Sequence, residues 1–297
     1  MAQRASRTCA IVNPIAGSIK SIDELTARLQ KVEACDVQVS SKRGAAERLA
    51  REAVRKGCDV LIAAGGDGTL NEIVNGIGEA GEDVRIALLP LGTGNDFART
   101  LNLPTEIDAC VDLLRNGKTR AVDLVRVTSD RVRYFVNISA GGFSGIVDEK
   151  MTPELKERWG PLAYLRGAAA AFSELRAYRT NVAFDNAEAF ALDVYNVVIA
   201  NGRYVAGGTP IAPQAEIDDG LLDVILLPQL AAPQLGLLAA QILVGSHLGN
   251  SAVVFRRAKK VVVNSRPGMW FNVDGELVGN EPAVFEVLPR ALDFFTP

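Results

Sequence analysis

The chain has 297 residues, enough for about two domains of ordinary size, and 48% of them are hydrophobic, which builds a sizeable core and excludes disorder along the whole length. Its 32 Lys and Arg against 35 Asp and Glu leave a net charge of −3, so no sequence-independent pull toward nucleic acid or anionic headgroups exists.

Residues 8–12 form a short apolar run stopped by Asn13-Pro14 and Gly17, too short for the core of an export signal. Ser21 and Glu24 then make a capping box, and Ile22, Leu25, Leu29 and Val32 follow at helical spacing. The same grammar recurs. Residues 37–39 read as a strand, Ala46, Leu49, Ala50, Ala53 and Val54 as a helix ending at Gly57, and residues 60–64 as a third strand. Leu70, Ile73, Val74 and Ile77 mark the next helix, residues 85–91 a fourth strand, and Ile107, Cys110, Val111 and Leu114 a helix closed by Gly117. Repeated βα units predict a doubly wound α/β domain over residues 1–122, with its ligand at the carboxyl ends of parallel strands.

Beyond residue 122 the pattern changes to short alternating strands at 123–128, 133–139, 194–200, 221–227, 260–264, 270–273 and 283–288. Helical stretches interrupt them only near residues 161–178 and 233–248. This predicts a β-sandwich-like domain over residues 123–288, with residues 289–297 apolar enough to return to the first domain. The longest apolar stretch, residues 235–244, falls short of the roughly 20 residues of a spanning helix. Its Leu237, Leu238, Ile242 and Leu243 read as the face of an ordinary buried helix, with an interfacial face as the alternative.

The single histidine, His247, excludes a His-dependent triad and a multi-His metal site. Cys9, Cys35, Cys58 and Cys110 lie far apart with no CxxC pair, which excludes a zinc knuckle and reads as reduced thiols in a cytosolic setting.

Glycine-rich loops carry the chemistry. Gly65-Gly66-Asp67-Gly68-Thr69-Leu70-Asn71-Glu72 lies between a strand and a helix, where free N–H groups and the positive end of the helix attract phosphate. A hairpin turn is the alternative, and the helical spacing after Thr69 argues against it. Pro90-Leu91-Gly92-Thr93-Gly94-Asn95-Asp96-Phe97 repeats the device one strand later, although Asn95 or Asp96 there also suits a plain helix cap. Asn13 to Gly17 and Ser40-Ser41 with Gly44 add polar groups to the same rim. Phe271-Asn272-Val273-Asp274-Gly275-Glu276 reads on its own as a hairpin with an Asp-Gly turn, and Glu216 to Leu222 as a loop tip.

The blocks NPIAG, GGDGTLNEIVNGI and LPLGTGNDFART, with VDGE near the C-terminus, resemble the bacterial lipid kinases related to diacylglycerol kinase, whose catalytic domain is shared with sphingosine and ceramide kinases. The resemblance covers essentially the whole chain. GGDGT is similar to loops of NAD kinases and phosphofructokinases as well; GTGNDF and the late Asp-Gly-Glu favour the lipid kinases.

That resemblance implies an ATP- and Mg²⁺-dependent kinase with ATP between the domains, lined by Asn13, Ser40, Gly65, Gly66, Asp67, Gly68, Thr69, Leu70, Asn71 and Thr93. Asp67 would orient Mg²⁺ or lie on the path of the substrate hydroxyl. Asp274 and Glu276 match the carboxylates proposed in the family as the catalytic base, facing one way from an extended segment, with Glu276 favoured as proton acceptor and Asp67 as the competitor. A structural Mg²⁺ site is implied at the Asp219 carboxylate and the carbonyls of Glu216 and Leu221. The implied partner is a diacylglycerol-like, phosphatidylglycerol-like or sphingoid lipid met by a cytoplasmic protein at the membrane surface, with Phe143, Tyr164, Leu165 and Phe172 as candidate acyl-pocket residues. The rival readings are an NAD kinase and an inactive nucleotide- or lipid-binding regulator.

Overall fold

A computed structural model describes residues 7–17, 21–30, 32, 35–78, 84–142, 175–280 and 282–297. The predicted helix at 161–178 lies outside them up to residue 174, as do Phe143, Tyr164, Leu165 and Phe172. Two compact units are formed, one from residues 1–122 with 290–297 and the other from residues 123–289.

In the first unit, β1 (Thr8–Val12) and β3 (Val60–Gly65) are buried along their whole length, as strands covered on both faces must be. They pair in parallel, β2 (Cys35–Val39) flanks β1, and β4 (Arg85–Pro90) flanks β3. The end of β15 (Ala283–Thr296) adds in parallel to β4, with Asp293 opposite Arg85. The order β2-β1-β3-β4-β15 turns around between β1 and β3, so the crevice for a ligand opens past Val12 and Gly65. Among the described residues the strands are connected by α1 (Ile22–Leu29), α2 (Ala45–Arg55), α3 (Asp67–Ile77) and, after the short α4 (Asp96–Thr100), α5 (Ile107–Asn116). Ser21 Oγ accepts from Glu24 N at 3.2 Å, the Ser half of the predicted capping box.

One expectation from composition is corrected here. Cys9 and Cys58 are joined as a disulfide, their Cα atoms 6.3 Å apart, because β1 and the residues entering β3 lie side by side. Cys35 and Cys110 are the free thiols, both raised to about 11 chiefly by burial.

The second unit is antiparallel. Strand β9 (Phe190–Ala200) is its hub: β8 (Tyr178–Phe184) and β7 (Ile138–Gly142) pair with its two halves along one edge, and β10 (Leu222–Pro228) with the other. Strands β12 (Lys260–Arg266) and β13 (Phe271–Val273) extend the sheet through β8 and β7, β14 (Glu276–Gly279) edges β13, and β11 (Val254–Ala258) edges β10. Strand β5 (Lys118–Thr128) pairs with β6 (Val132–Phe135). The apolar core between these layers includes Val127, Phe135, Val197, Phe271 and Phe285, with Phe271 and Phe285 edge to face at 5.0 Å. This is the β-sandwich-like domain that the alternating strands predict.

Several boundaries differ from prediction. Residues 133–139 are two strands, because Val136 O accepts from Asn201 Nδ2 and Asn137 O accepts from the N–H of Asn201 and Gly202, which takes that backbone out of the ladder. Tyr178 opens a strand. The helix predicted at 233–248 is α6 (Ala232–Leu243), followed by a 3-10 turn at His247–Gly249. It buries Leu238 and leaves Leu237 and Leu243 exposed, which corrects the expectation of an ordinary buried helix.

His247 is 0% exposed with Nε2 2.8 Å from Ile211 O, and burial lowers its pKa from 6.5. The folded chain keeps the ring neutral where the unfolded chain protonates it, so this contribution is present above pH 6.5 and is lost as pH falls below it. Unfolding free energy should therefore decline between neutral and mildly acidic pH, and His247→Gln should flatten that decline. Denaturant titrations across pH check it, and parallel profiles for the two proteins would exclude His247 as the source.

Candidate functional site

Three loops meet at the switch point of the first unit. Asn13, just past β1, donates from its backbone to Ala64 O at 2.9 Å and from Nδ2 to Thr69 Oγ1 at 3.2 Å, which ties the loop after β1 to the end of β3 and the start of α3. Its Oδ1 accepts from Ile15 N at 3.2 Å and shapes the turn that follows. Gly66 and Gly92 touch backbone to backbone, and a Cβ on Gly92 would lie 2.5 Å from Gly66 Cα, so only glycine lets the loops after β3 and β4 close on each other.

Asp67 locks that closure. Its two oxygens accept from Asp96 N and Phe97 N, each at 3.2 Å, so the carboxylate of one loop caps the helix that begins in the next. The local alternative, in which Asn95 or Asp96 caps that helix, is corrected accordingly. Asn95 stands in the left-handed region at φ 52 and turns its side chain back, with Gly92 N donating to Oδ1 at 2.9 Å and Nδ2 donating to Pro90 O and Gly92 O. It fixes the turn instead of the helix. Asn in this conformation after a Gly-Thr-Gly run was the available signal.

The remaining expected phosphate-loop residues divide by exposure. Gly68 and Thr93 are exposed, and Gly65, Thr69, Leu70 and Asn71 are buried. Leu70 packs into the core, whereas Asn71 Nδ2 is a buried donor with no protein partner. Ser40 is buried at the end of β2, its N–H donating to Val12 O at 2.8 Å. No side chain caps α3, and a Cβ on Gly68 would meet nothing within 4 Å. Glu72 serves structure, since its two oxygens accept from Gly44 N at 2.8 Å and Ala46 N at 3.0 Å and so cap α2.

The VDGE segment is corrected from its extended form. Asp274 and Gly275 both have positive φ, 43 and 92, and form the two-residue turn between β13 and β14. Asp274 therefore lies in the reversal of the chain and Glu276 just past it. Asp274 Oδ1 accepts from Ile138 N at 3.0 Å. Glu276 Oε1 pairs with Arg131 at 2.7 Å and Oε2 with Arg133, a pair of cations that sequence reasoning did not find.

At the EIDDGLL turn, Asp219 Oδ1 accepts from Leu221 N at 2.9 Å and Oδ2 pairs with Arg257. Arg257 Nε also donates to Asp223 Oδ1 at 3.0 Å. Asp223 is 1% exposed, its Oδ2 has no partner, and burial first and the Glu216 charge second push its pKa up to about 6. Asp123, fully buried, accepts from Gly220 N at 2.7 Å and anchors the turn. Among the described residues no three His, Cys, Asp or Glu side chains are grouped to hold a metal. The implied set needs only one carboxylate with two carbonyls.

Residues 7–127 match the diacylglycerol kinase catalytic domain, and residues 137–296 match the YegS C-terminal NAD kinase beta sandwich-like domain. The chain is 33% identical to a diacylglycerol kinase of Staphylococcus haemolyticus over 98% of its length and 89% of that protein's. It is 33% identical to one of Staphylococcus aureus over 97% and 91%. Its fold matches the crystal structure of a diacylglycerol kinase from Bacillus anthracis with TM-score 0.77 at 22% identity, covering 98% and 97% of the two chains. An NAD kinase from Archaeoglobus fulgidus in complex with ATP shares the fold more distantly, with TM-score 0.54 at 15% identity over 97% and 93%. With both halves of the sequence matched and the similarity running nearly end to end, the chain belongs to the diacylglycerol kinase family of lipid kinases, phosphotransferases whose acceptor is an alcohol group.

Proposed function

We propose that this chain transfers the γ-phosphoryl group of ATP to the hydroxyl of a diacylglycerol-like lipid at a membrane surface, with Mg²⁺ at the phosphates. The observation that carries the reading is the open first turn of α3. Gly68 is the second residue of α3, and the folded chain gives no steric reason for a glycine there. Space left open at an uncapped helix N-terminus suits a phosphate approaching backbone N–H groups. The buried, unpartnered Asn71 Nδ2 supplies a further donor within the same helix.

Phosphoryl transfer requires positioning and charge neutralisation more than covalent chemistry. Asn13, Ser40, Gly65 to Asn71 and Thr93 would hold the nucleotide. Asp67 spends two acceptor sites on Asp96 N and Phe97 N, and a carboxylate has about four, so the residue fits a Mg²⁺ ion or its water as well. Bound Mg²⁺ supplies neutralisation of phosphate charge. Asp274 or Glu276 would accept the lipid hydroxyl proton, with Arg131 and Arg133 fixing the Glu276 carboxylate.

The EIDDGLL turn fits a structural Mg²⁺ through hard oxygen donors, and the orphaned Asp223 Oδ2 is a buried acceptor beside it. Arg257 is the competing cation on Asp219. Mg²⁺ should raise the melting temperature of the native protein and leave that of Asp219→Ala unchanged. Equal shifts in both proteins would remove the metal from this turn.

Labelled-ATP assays with diacylglycerol, phosphatidylglycerol, sphingosine, ceramide and NAD as acceptors test the function. Phosphorylated diacylglycerol is the expected product, to be abolished by EDTA and weakened by Gly68→Val through a raised KM for ATP. Phosphorylation of NAD alone would overturn the reading.

A further inference from the structure

Two asparagines stand one turn apart inside α3, although asparagine is a poor helix former. Asn71 is 3% exposed and Asn75 8%. Neither helix propensity nor burial favours an amide at these positions, so hydrogen bonding has to account for them. Asn75 Nδ2 donates to the backbone O of Asn71 at 2.9 Å and, in a longer contact of 3.4 Å, to its Oδ1. The other end of that amide, Asn71 Nδ2, is the buried donor with no protein partner.

These contacts decide which way each amide faces. A backbone carbonyl only accepts, so Asn75 must present its NH2 group to Asn71 O; turned round, it would set oxygen against oxygen. The same NH2 group meets the Asn71 side chain, which must answer with Oδ1, because its own NH2 there would oppose donor to donor. Asn71 Nδ2 is thereby turned away from Asn75. Every Cα–Cβ bond of an α-helix tilts toward the N-terminus. Asn75 reaches back over Asn71 in this way, and Asn71 shares a face with Asp67, one turn nearer the uncapped start of the helix.

We infer that Asn75 is a positioning residue for phosphoryl transfer, which holds Asn71 with its NH2 group toward the phosphates of the bound nucleotide. The inference rests on the kinase reading for the nucleotide and goes beyond it in naming what orients the donor. Phosphate oxygens only accept when ionised, so the NH2 end of the Asn71 amide attracts them and the Oδ1 end repels them. An amide is nearly symmetric in shape, and shape alone would admit either end. The chain of constraint from Asn71 O through Asn75 selects the attractive one without Asn75 touching the ligand.

Calorimetric titration of the full chain with ATP in the presence of Mg²⁺ tests the inference. Asn71→Ala should weaken ATP by roughly 10- to 100-fold, the loss of one hydrogen bond to a charged acceptor. Asn75→Leu, close to Asn in size, should weaken it by about three- to tenfold in the native background and not at all in the Asn71→Ala background, since the residue acts only through Asn71. An equal loss in both backgrounds would make Asn75 a packing residue and overturn the inference. A spectroscopic readout needs no variant: the side-chain NH2 resonance of Asn71 in the native protein should move when ATP is added. A resonance that stays in place overturns the inference whether or not Asn75→Leu folds. Phosphorylation of diacylglycerol together with native ATP affinity in Asn71→Ala would overturn the inference alone. The expected cycle and resonance shift without phosphorylation of any lipid would instead overturn the lipid-kinase reading and leave the orientation of Asn71 standing.

Discussion

Replacing Asp67 with Asn is expected to lower turnover by roughly 100-fold or more, since its charge would position Mg²⁺ or the reacting hydroxyl. The fold should survive with a modest loss. Asp67 accepts two backbone N–H groups, from Asp96 and Phe97, whereas an amide presents one oxygen and one donor nitrogen. One of those N–H groups would face a donor, at a cost of about 1–2 kcal/mol. The two effects separate by measurement. If Asp67 acts through its charge at the phosphates or the hydroxyl, single-turnover phosphoryl transfer should slow while loop order, read by hydrogen exchange at Asp96 and Phe97, changes little in Asp67→Glu. Should turnover instead track exchange across Asp67→Asn, Asp67→Glu and Asp67→Ala, the residue acts only by holding the loops. Near-native turnover in Asp67→Asn would remove it from both roles.

The second large effect is expected at the turn between β13 and β14. General-base catalysis is worth about 10² to 10⁴ in rate, or roughly 3–5 kcal/mol. Asp274→Asn and Glu276→Gln should each approach that loss with ATP affinity nearly intact, and the double variant should be scarcely worse than the more damaged single one if the pair works as a unit. The geometry divides their parts. Glu276 has a guanidinium on each oxygen, so its variant should also lose about 1–2 kcal/mol of stability through the partly buried Arg133. Asp274→Asn keeps an oxygen for Ile138 N. Full activity in the double variant would exclude both carboxylates and leave Asp67 as the base.

The first unit was legible because each of its elements follows from local pattern. The run Val60 to Gly65 is apolar throughout since both faces of the strand are covered, and the helical period begins at once after Thr69. What escaped depends on partners far along the chain. Asp67 caps a helix 29 and 30 residues away, and no local capping rule reaches that distance. The break after Phe135 is made by Asn201, and the two cations on Glu276 sit on the turn and strand of the β5-β6 hairpin. The Asp-Gly reversal at residues 274 and 275 followed from turn chemistry alone, whereas an extended pair of carboxylates followed only from similarity. Strands β8, β11 and β14 went unread. Their outward positions are polar or exposed, as in Tyr178 to Phe184 with Arg179 and Asn181, and pairing to neighbours defines them more than composition does.

Residues 290–297 complete a sheet whose other strands end 200 residues earlier. Phe294 packs edge to face on Phe97 at 5.2 Å, Phe295 enters the core, and Arg85 lies over its ring at 5.4 Å. During synthesis, β4 thus emerges with one edge bare and must wait while residues 123–289 are made, roughly 10–30 s at ribosomal rates. Until then the parallel sheet lacks its closing strand, so the first unit is complete only after the whole of the second has been made.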